Sequence, residues 1–191
     1  KANAWSTYTA EFYNMKAMLS GRIGYTGMNR RGYRRNGMAP NNSQGKSGTA
    51  NFLDGGVKGS LNVDMGRGHA FSIGAGYELR APMANTAFIS PEISNDFVTN
   101  LKNERIFSSE FSYQYRNAWL SANVSGYYSR LENVTEWQNF YNDDENSFTY
   151  VSMTGLKKEY YGVEVGAKFK LTSWLDLKTL GAMSEAKNIN N

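Results

Sequence analysis

The chain of 191 residues has no cysteine, one histidine and three prolines, and each scarcity removes a class of protein. Without Cys there is neither a disulfide framework nor a thiolate metal site, and a lone His69 leaves little for zinc or for a nucleophile and base pair. No stretch of about 18 consecutive apolar residues occurs, which excludes a helical membrane span. Lys1 to Leu19 lacks the continuous apolar h-region of a signal peptide. The formal charge of +4 is mild and its Lys and Arg are dispersed, so no nucleic-acid partner is expected. What the chain has in quantity is strand-forming material: thirteen Tyr, ten Phe, four Trp and nineteen Gly.

A mean hydropathy of -0.58 does not close the membrane question, because a transmembrane barrel hides its apolar band by alternation. The alternation recurs along the chain. Tyr8, Ala10 and Phe12 oppose Thr7, Thr9 and Glu11; after Asn14-Met15-Lys16, Ala17, Leu19, Gly21, Ile23 and Tyr25 oppose Ser20, Arg22 and Gly24. Val57, Leu61, Val63 and Met65 oppose Lys58, Ser60, Asn62 and Asp64, and past Gly66-Arg67-Gly68-His69 the residues Phe71, Ile73, Ala75, Tyr77 and Leu79 oppose Ser72, Gly74, Gly76, Glu78 and Arg80. Phe107, Phe111, Tyr113 and Tyr115 oppose Ser108, Glu110, Ser112 and Gln114; after Arg116-Asn117-Ala118, Leu120, Ala122, Val124 and Tyr128 oppose Ser121, Asn123, Ser125 and Ser129. Last, Tyr161, Val163, Val165, Ala167, Phe169 and Leu171 oppose Gly162, Glu164, Gly166, Lys168 and Lys170, and Thr172-Ser173-Trp174 leads into Leu175, Leu177, Thr179, Gly181 and Met183.

These are about eight strands of the ~9–11 residues that a tilted strand needs to cross a bilayer. Their connections alternate between a few residues, at Asn14, Gly66, Arg116 and Thr172, and long loops around Arg34, Asn95 and Asn142. Short periplasmic turns and long extracellular loops are the outer-membrane plan. The expected fold is all-β, an antiparallel transmembrane β-barrel segment in the outer membrane of a Gram-negative bacterium. With the short turns periplasmic, both termini lie outside, and Asn190-Asn191 lacks the terminal aromatic of a finished barrel. Residues 1–191 therefore read as an interior slice of a larger barrel, whose remaining wall is supplied by other polypeptide.

Gly32-Tyr33-Arg34-Arg35-Asn36-Gly37, Pro40-Asn41-Asn42-Ser43 and Gly56-Val57-Lys58-Gly59 resemble the barrel of TonB-dependent receptors of the class that carries an N-terminal carboxypeptidase-regulatory-like domain. Arg80-Ala81-Pro82, Ala87-Phe88-Ile89-Ser90-Pro91, Asn100-Leu101-Lys102-Asn103-Glu104, Phe140-Tyr141-Asn142-Asp143-Asp144 and Met153-Thr154-Gly155 continue the likeness in the same order, from about Gly32 to Leu171. The resemblance implies a plugged barrel of 22 strands. It also implies active import of a scarce nutrient (siderophore, glycan, peptide or similar) driven by TonB through an N-terminal segment. Lipopolysaccharide and a surface lipoprotein are expected as further partners, and no cofactor is expected. A surface adhesin or structural barrel is the alternative.

Candidate ligand-binding residues are Tyr33, Arg34 and Arg35, a basic and aromatic loop suited to anions or lipopolysaccharide phosphates, and Trp137, Phe140 and Tyr141, which either stack on cargo or pack the loop on itself. Asp143 and Asp144 offer hard oxygen ligands but lack the spacing of a calcium loop, so no metal site is assigned. Glu11, Arg22, Lys58, Glu78, Arg80, Glu110, Glu164 and Lys168 are expected to face the lumen, where polarity is the rule. No catalytic residues are assigned.

Overall fold

The computed structural model describes residues 1–33, 42–90, 94–143 and 146–190. Eight strands form one antiparallel sheet in the order β1 (Ala2–Phe12), β2 (Met15–Met28), β5 (Ala50–Gly66), β6 (His69–Arg80), β7 (Glu104–Arg116), β8 (Leu120–Asn142), β9 (Ser147–Lys170) and β10 (Asp176–Asn188). A two-stranded patch, β3 (Arg31–Gly32) with β4 (Gly45–Lys46), interrupts the first long connection. Apart from that patch, each strand pairs with its sequence neighbours, so the sheet is a simple meander with β1 and β10 at its edges.

The register fixes the faces. Glu11 opposes Lys16, Lys16 opposes Asn62, Asn62 opposes Ser72, Ser72 opposes Ser112, Ser112 opposes Ser125 and Ser125 opposes Glu164, giving one polar row across seven strands. Directly opposed residues share a face, and the next residue along each strand takes the other. That other face carries Tyr8, Leu19, Ile23, Val57, Phe111, Val163 and Leu177, all strongly exposed. An apolar surface of this extent is incompatible with a water-facing sheet and fits a lipid-facing one. From Phe107 to Tyr115 and from Tyr161 to Phe169 the oily run is nine residues, close to a bilayer crossing.

One end of the sheet is held by tight turns. Phe12 pairs with Met15 across Tyr13 and Asn14, and Tyr13 adopts φ 47°. Arg67 and Gly68 both have positive φ, 53° and 83°, the requirement of a type I′ turn whose twist matches its flanking strands. A β-carbon on Gly68 would lie 1.7 Å from the Arg116 carbonyl oxygen, so the neighbouring strand also demands glycine there. Asn117 closes the next turn by accepting from the Trp119 and Leu120 amides with its side-chain oxygen. The fourth connection spans 171–175, and Trp174 projects from this turn.

At the other end the connection expected around Asn95 is present over 81–103, the one expected around Arg34 has its centre, 34–41, outside the described residues, and the third is not a loop. β8 and β9 continue past their neighbours as a two-stranded ribbon, pairing Glu136 with Met153 through to Asn142 with Ser147. One extra residue on each strand, near Asn133 (φ 57°) and Gly155 (φ 82°), breaks the alternation and then restores the register. The sheet has almost no interior of its own. The core sits where the 81–103 connection folds onto the sheet, with Met28, Ala87 and Phe88 buried against Ala50, Phe52, Ala81, Phe97 and Leu101. Phe88 and Phe97 stack at 4.6 Å.

Candidate functional site

All eight polar residues expected to face one way do share the polar face by register. They are not equivalent. Arg22 is the hub of a cluster in which Nη1 donates to Asp54 Oδ1 at 2.9 Å and Nη2 to Glu78 Oε1 at 2.7 Å. Asp54, nearly fully buried, also accepts from the Thr26 hydroxyl at 2.7 Å. Gly24 makes this burial feasible, since a β-carbon there would stand 2.3 Å from Asp54 Oδ1. Arg80 Nε and Nη2 both donate to Glu104 Oε2, at 2.9 and 2.7 Å, and the buried Glu104 turns its other oxygen to the Thr135 amide at the root of the ribbon. Glu11 pairs with Lys16 and Lys168 with Asp176 in exposed bridges. Lys58, Glu110 and Glu164 have no ion-pair partner among the described residues. A shallow hollow of ≈ 780 Å³ opens on this face between Trp5, Arg22, Lys58, Glu78, Glu110 and Tyr127.

Asp54 and Glu104, the two buried acids, were not among the residues expected at the site. Strand starts were expected at Val57 and Phe107, whereas the strands begin at Ala50 and Glu104. Extending the alternation back three residues places each acid on the polar face, but only the register shows that Asp54 meets Arg22 and Glu104 meets Arg80.

The loop residues are distributed differently. Tyr33 is exposed, with the Arg31 guanidinium 5.9 Å from its ring centre. Arg34, Arg35 and Asp144 lie outside the described residues. Trp137, Phe140 and Tyr141 do not form one cluster: on a pleated ribbon Trp137 and Tyr141 share a face and Phe140 takes the opposite one. Trp137 packs against Tyr150 with ring centres 5.3 Å apart, and Tyr141 meets Phe148 edge-on at 5.1 Å. Asp143 is exposed in the turn at the tip. Among the described residues no three His, Asp or Glu side chains gather as a metal site.

The long connections are linked to one another. The Asn95 amide donates to the Asn42 carbonyl, Arg30 reaches the Asn95 side chain, and the Ser152 amide of β9 donates to the Ile89 carbonyl at 2.8 Å. The 81–103 segment thus ties the first connection to the ribbon. Just below them, on the oily face, Arg105, Arg130, Glu132, Glu159, Glu185 and Lys187 form a polar belt, with Arg130 to Glu132 at 2.9 Å and Lys187 to Glu185 at 3.0 Å. At the turn end, His69 opens β6, with Nδ1 2.6 Å from the Tyr113 hydroxyl, and Trp119 stacks on Phe169.

No protein-family model matches the chain, and no curated protein matches it in sequence. Solved structures do. The copper transporter OprC superposes with a TM-score of 0.80 at 18% identity over 97% of this chain and 29% of its own. The FrpB iron transporter from Neisseria meningitidis, in its F3-3 variant, gives 0.68 at 14% over 97% and 25%. The ferric-catecholate import receptor Fiu from E. coli K12, in its closed form, gives 0.64 at 14% over 98% and 28%. All three are TonB-dependent outer-membrane transporters. The chain spans less than a third of each, and its fold is that of a contiguous segment of their barrel walls.

Proposed function

We propose that this chain is wall and mouth of an outer-membrane receptor that takes up a scarce extracellular nutrient with energy delivered through TonB. The observation that carries the reading is the division of one eight-stranded sheet into an oily face and a hydrogen-bonded polar face, on a backbone 97% of which superposes on part of OprC. Unpaired strand edges are not tolerated in lipid, so β1 and β10 pair with further strands of the same barrel. On this reading the tight turns face the periplasm, the linked connections and the ribbon face outward, and Lys58, Glu110 and Glu164 point into the lumen, where a plug domain and passing cargo would meet them. A carboxypeptidase-regulatory-like domain and a TonB-contacting segment belong to the whole receptor. On this reading the belt in which Arg105 and Arg130 pair with Glu132, and Lys187 with Glu185, would lie at the height of outer-leaflet headgroups, where its cations could exchange these carboxylates for lipopolysaccharide phosphates. A surface lipoprotein would cover the mouth. No catalytic role is assigned to the chain in this reading.

The test is physiological. A strain deleted for the complete gene should lose growth on one defined source of iron, copper, glycan or peptide, and a tonB deletion should reproduce the loss. Unchanged growth on every source, with loss of attachment to surfaces instead, would replace transport by adhesion.

A further inference from the structure

We propose that the aromatic face of the β8–β9 ribbon is a docking surface for an extended polypeptide bearing Lys or Arg side chains. The register pairs Trp137 with Ser152, Asn139 with Tyr150 and Tyr141 with Phe148, which puts four aromatic rings on one side of the ribbon, above the point where the 81–103 segment bonds to Ser152. Packing in pairs does not consume them: Trp137, Tyr141 and Phe148 keep 46%, 51% and 62% of their surface exposed. Solvent-facing rings in this number mark an interaction surface more often than a structural one.

Charge selects the occupant. From Leu131 to Leu156 the chain contains the acids Glu132, Glu136, Asp143, Asp144 and Glu145 and no Lys or Arg. Glu132 is answered by Arg130 and Glu136 by Lys158, both from the barrel. Asp143, next to the Tyr141–Phe148 pair, has no partner among the described residues, and Asp144 and Glu145 follow it in sequence. An anionic ligand is repelled from this tip. A neutral sugar could use the rings but would leave the carboxylates idle, whereas an ammonium or guanidinium group engages both, through the ring quadrupole and by ion pairing.

Spacing argues for a chain over a small cation. Trp137 and Tyr141 are four residues apart on one strand, roughly 13 Å at strand rise. A single amine cannot reach both. An extended peptide with cationic side chains at positions i and i+4 matches that repeat and runs parallel to the ribbon.

The proposal rests on the outward orientation given to this end of the sheet above. It is tested on the complete receptor purified in detergent, by titrating a synthetic peptide with Lys at i and i+4 against matched peptides with Ser or Glu there and against a neutral oligosaccharide. The Lys peptide should bind best and weaken at high salt. Trp137→Ala should weaken it about fivefold, a typical exposed cation–π contribution. Asp143→Asn, a change on an exposed turn that leaves the fold intact, should weaken it as well. Equal binding of the Lys, Ser and Glu peptides overturns the proposal, as does absence of binding, or oligosaccharide binding that Trp137→Ala abolishes while the Lys peptide shows no preference. Peptide binding needs no TonB, so its failure beside intact TonB-dependent growth removes this surface alone, and its success beside TonB-independent growth removes the transport reading alone.

Discussion

The first long connection and the β8–β9 ribbon rise from the same end of the sheet and are opposite in nearly every respect. Between Asn29 and Thr49 there are Arg30, Arg31, Arg34, Arg35 and Lys46 and no acid; between Leu131 and Leu156 there are five acids and no base. The basic connection is punctuated by Gly32, Gly37, Pro40, Gly45 and Gly48, and among its described residues pairing is limited to a two-residue patch. The ribbon has one glycine and a supply of Val, Thr and aromatics, so the ladder simply continues. The 81–103 segment bonds to both, through the Asn42 carbonyl on one side and the Ser152 amide on the other.

That brace offers the strongest lever on the comparison. Phe88→Ala removes a buried ring that stacks on Phe97, and a cost of about 3–4 kcal/mol is expected. Because the segment bonds to both lobes, amide hydrogen exchange in the full receptor should speed up at Ser47 and at Ser152 together. Arg80→Met acts on one lobe. It leaves the buried Glu104 carboxylate with only the Thr135 amide, and about 2–3 kcal/mol should be lost, less than for a fully buried pair because Arg80 is half exposed. Exchange should then rise around Thr135 and leave the first connection unchanged. Arg30→Met acts on the other lobe by removing the bonds to Asn95 and the Ser43 carbonyl, with about 1.5–2 kcal/mol expected in thermal unfolding and no change at the ribbon. Tyr33→Ala, at an exposed ring, should cost less than about 0.5 kcal/mol and serves as the control.

The membrane-crossing part was legible because one buried or lipid-facing side per strand forces a period of two. All eight strands and the four tight connections follow from it, with Arg67-Gly68 placed to the residue. The ribbon was not legible for the same physical reason. Beyond the bilayer neither face needs to be oily, the extra residues near Asn133 and Gly155 break the phase, and a run such as Glu136-Trp137-Gln138-Asn139-Phe140 reads as an irregular loop. Eight polar residues were expected on one face and share it by register, but the two buried acids were not among them, because the Arg22–Asp54 and Arg80–Glu104 pairings depend on which strands meet. Sequence periodicity gives the face of each residue and not its partner across the gap.

Residues 1–191 contain no cysteine, so with any cysteine elsewhere in the full protein replaced, introduced thiols report on this segment alone. Single cysteines placed at Asn139 on the ribbon, at Arg67 in a tight turn and at Val163 on the oily face can be tested in intact cells with a membrane-impermeant maleimide. Position 139 should label rapidly, position 67 only after the outer membrane is permeabilised, and position 163 not until the protein is denatured. Labelling of 67 from outside, or of 163 in the folded protein in cells, would contradict a lipid-embedded wall with its ribbon facing outward.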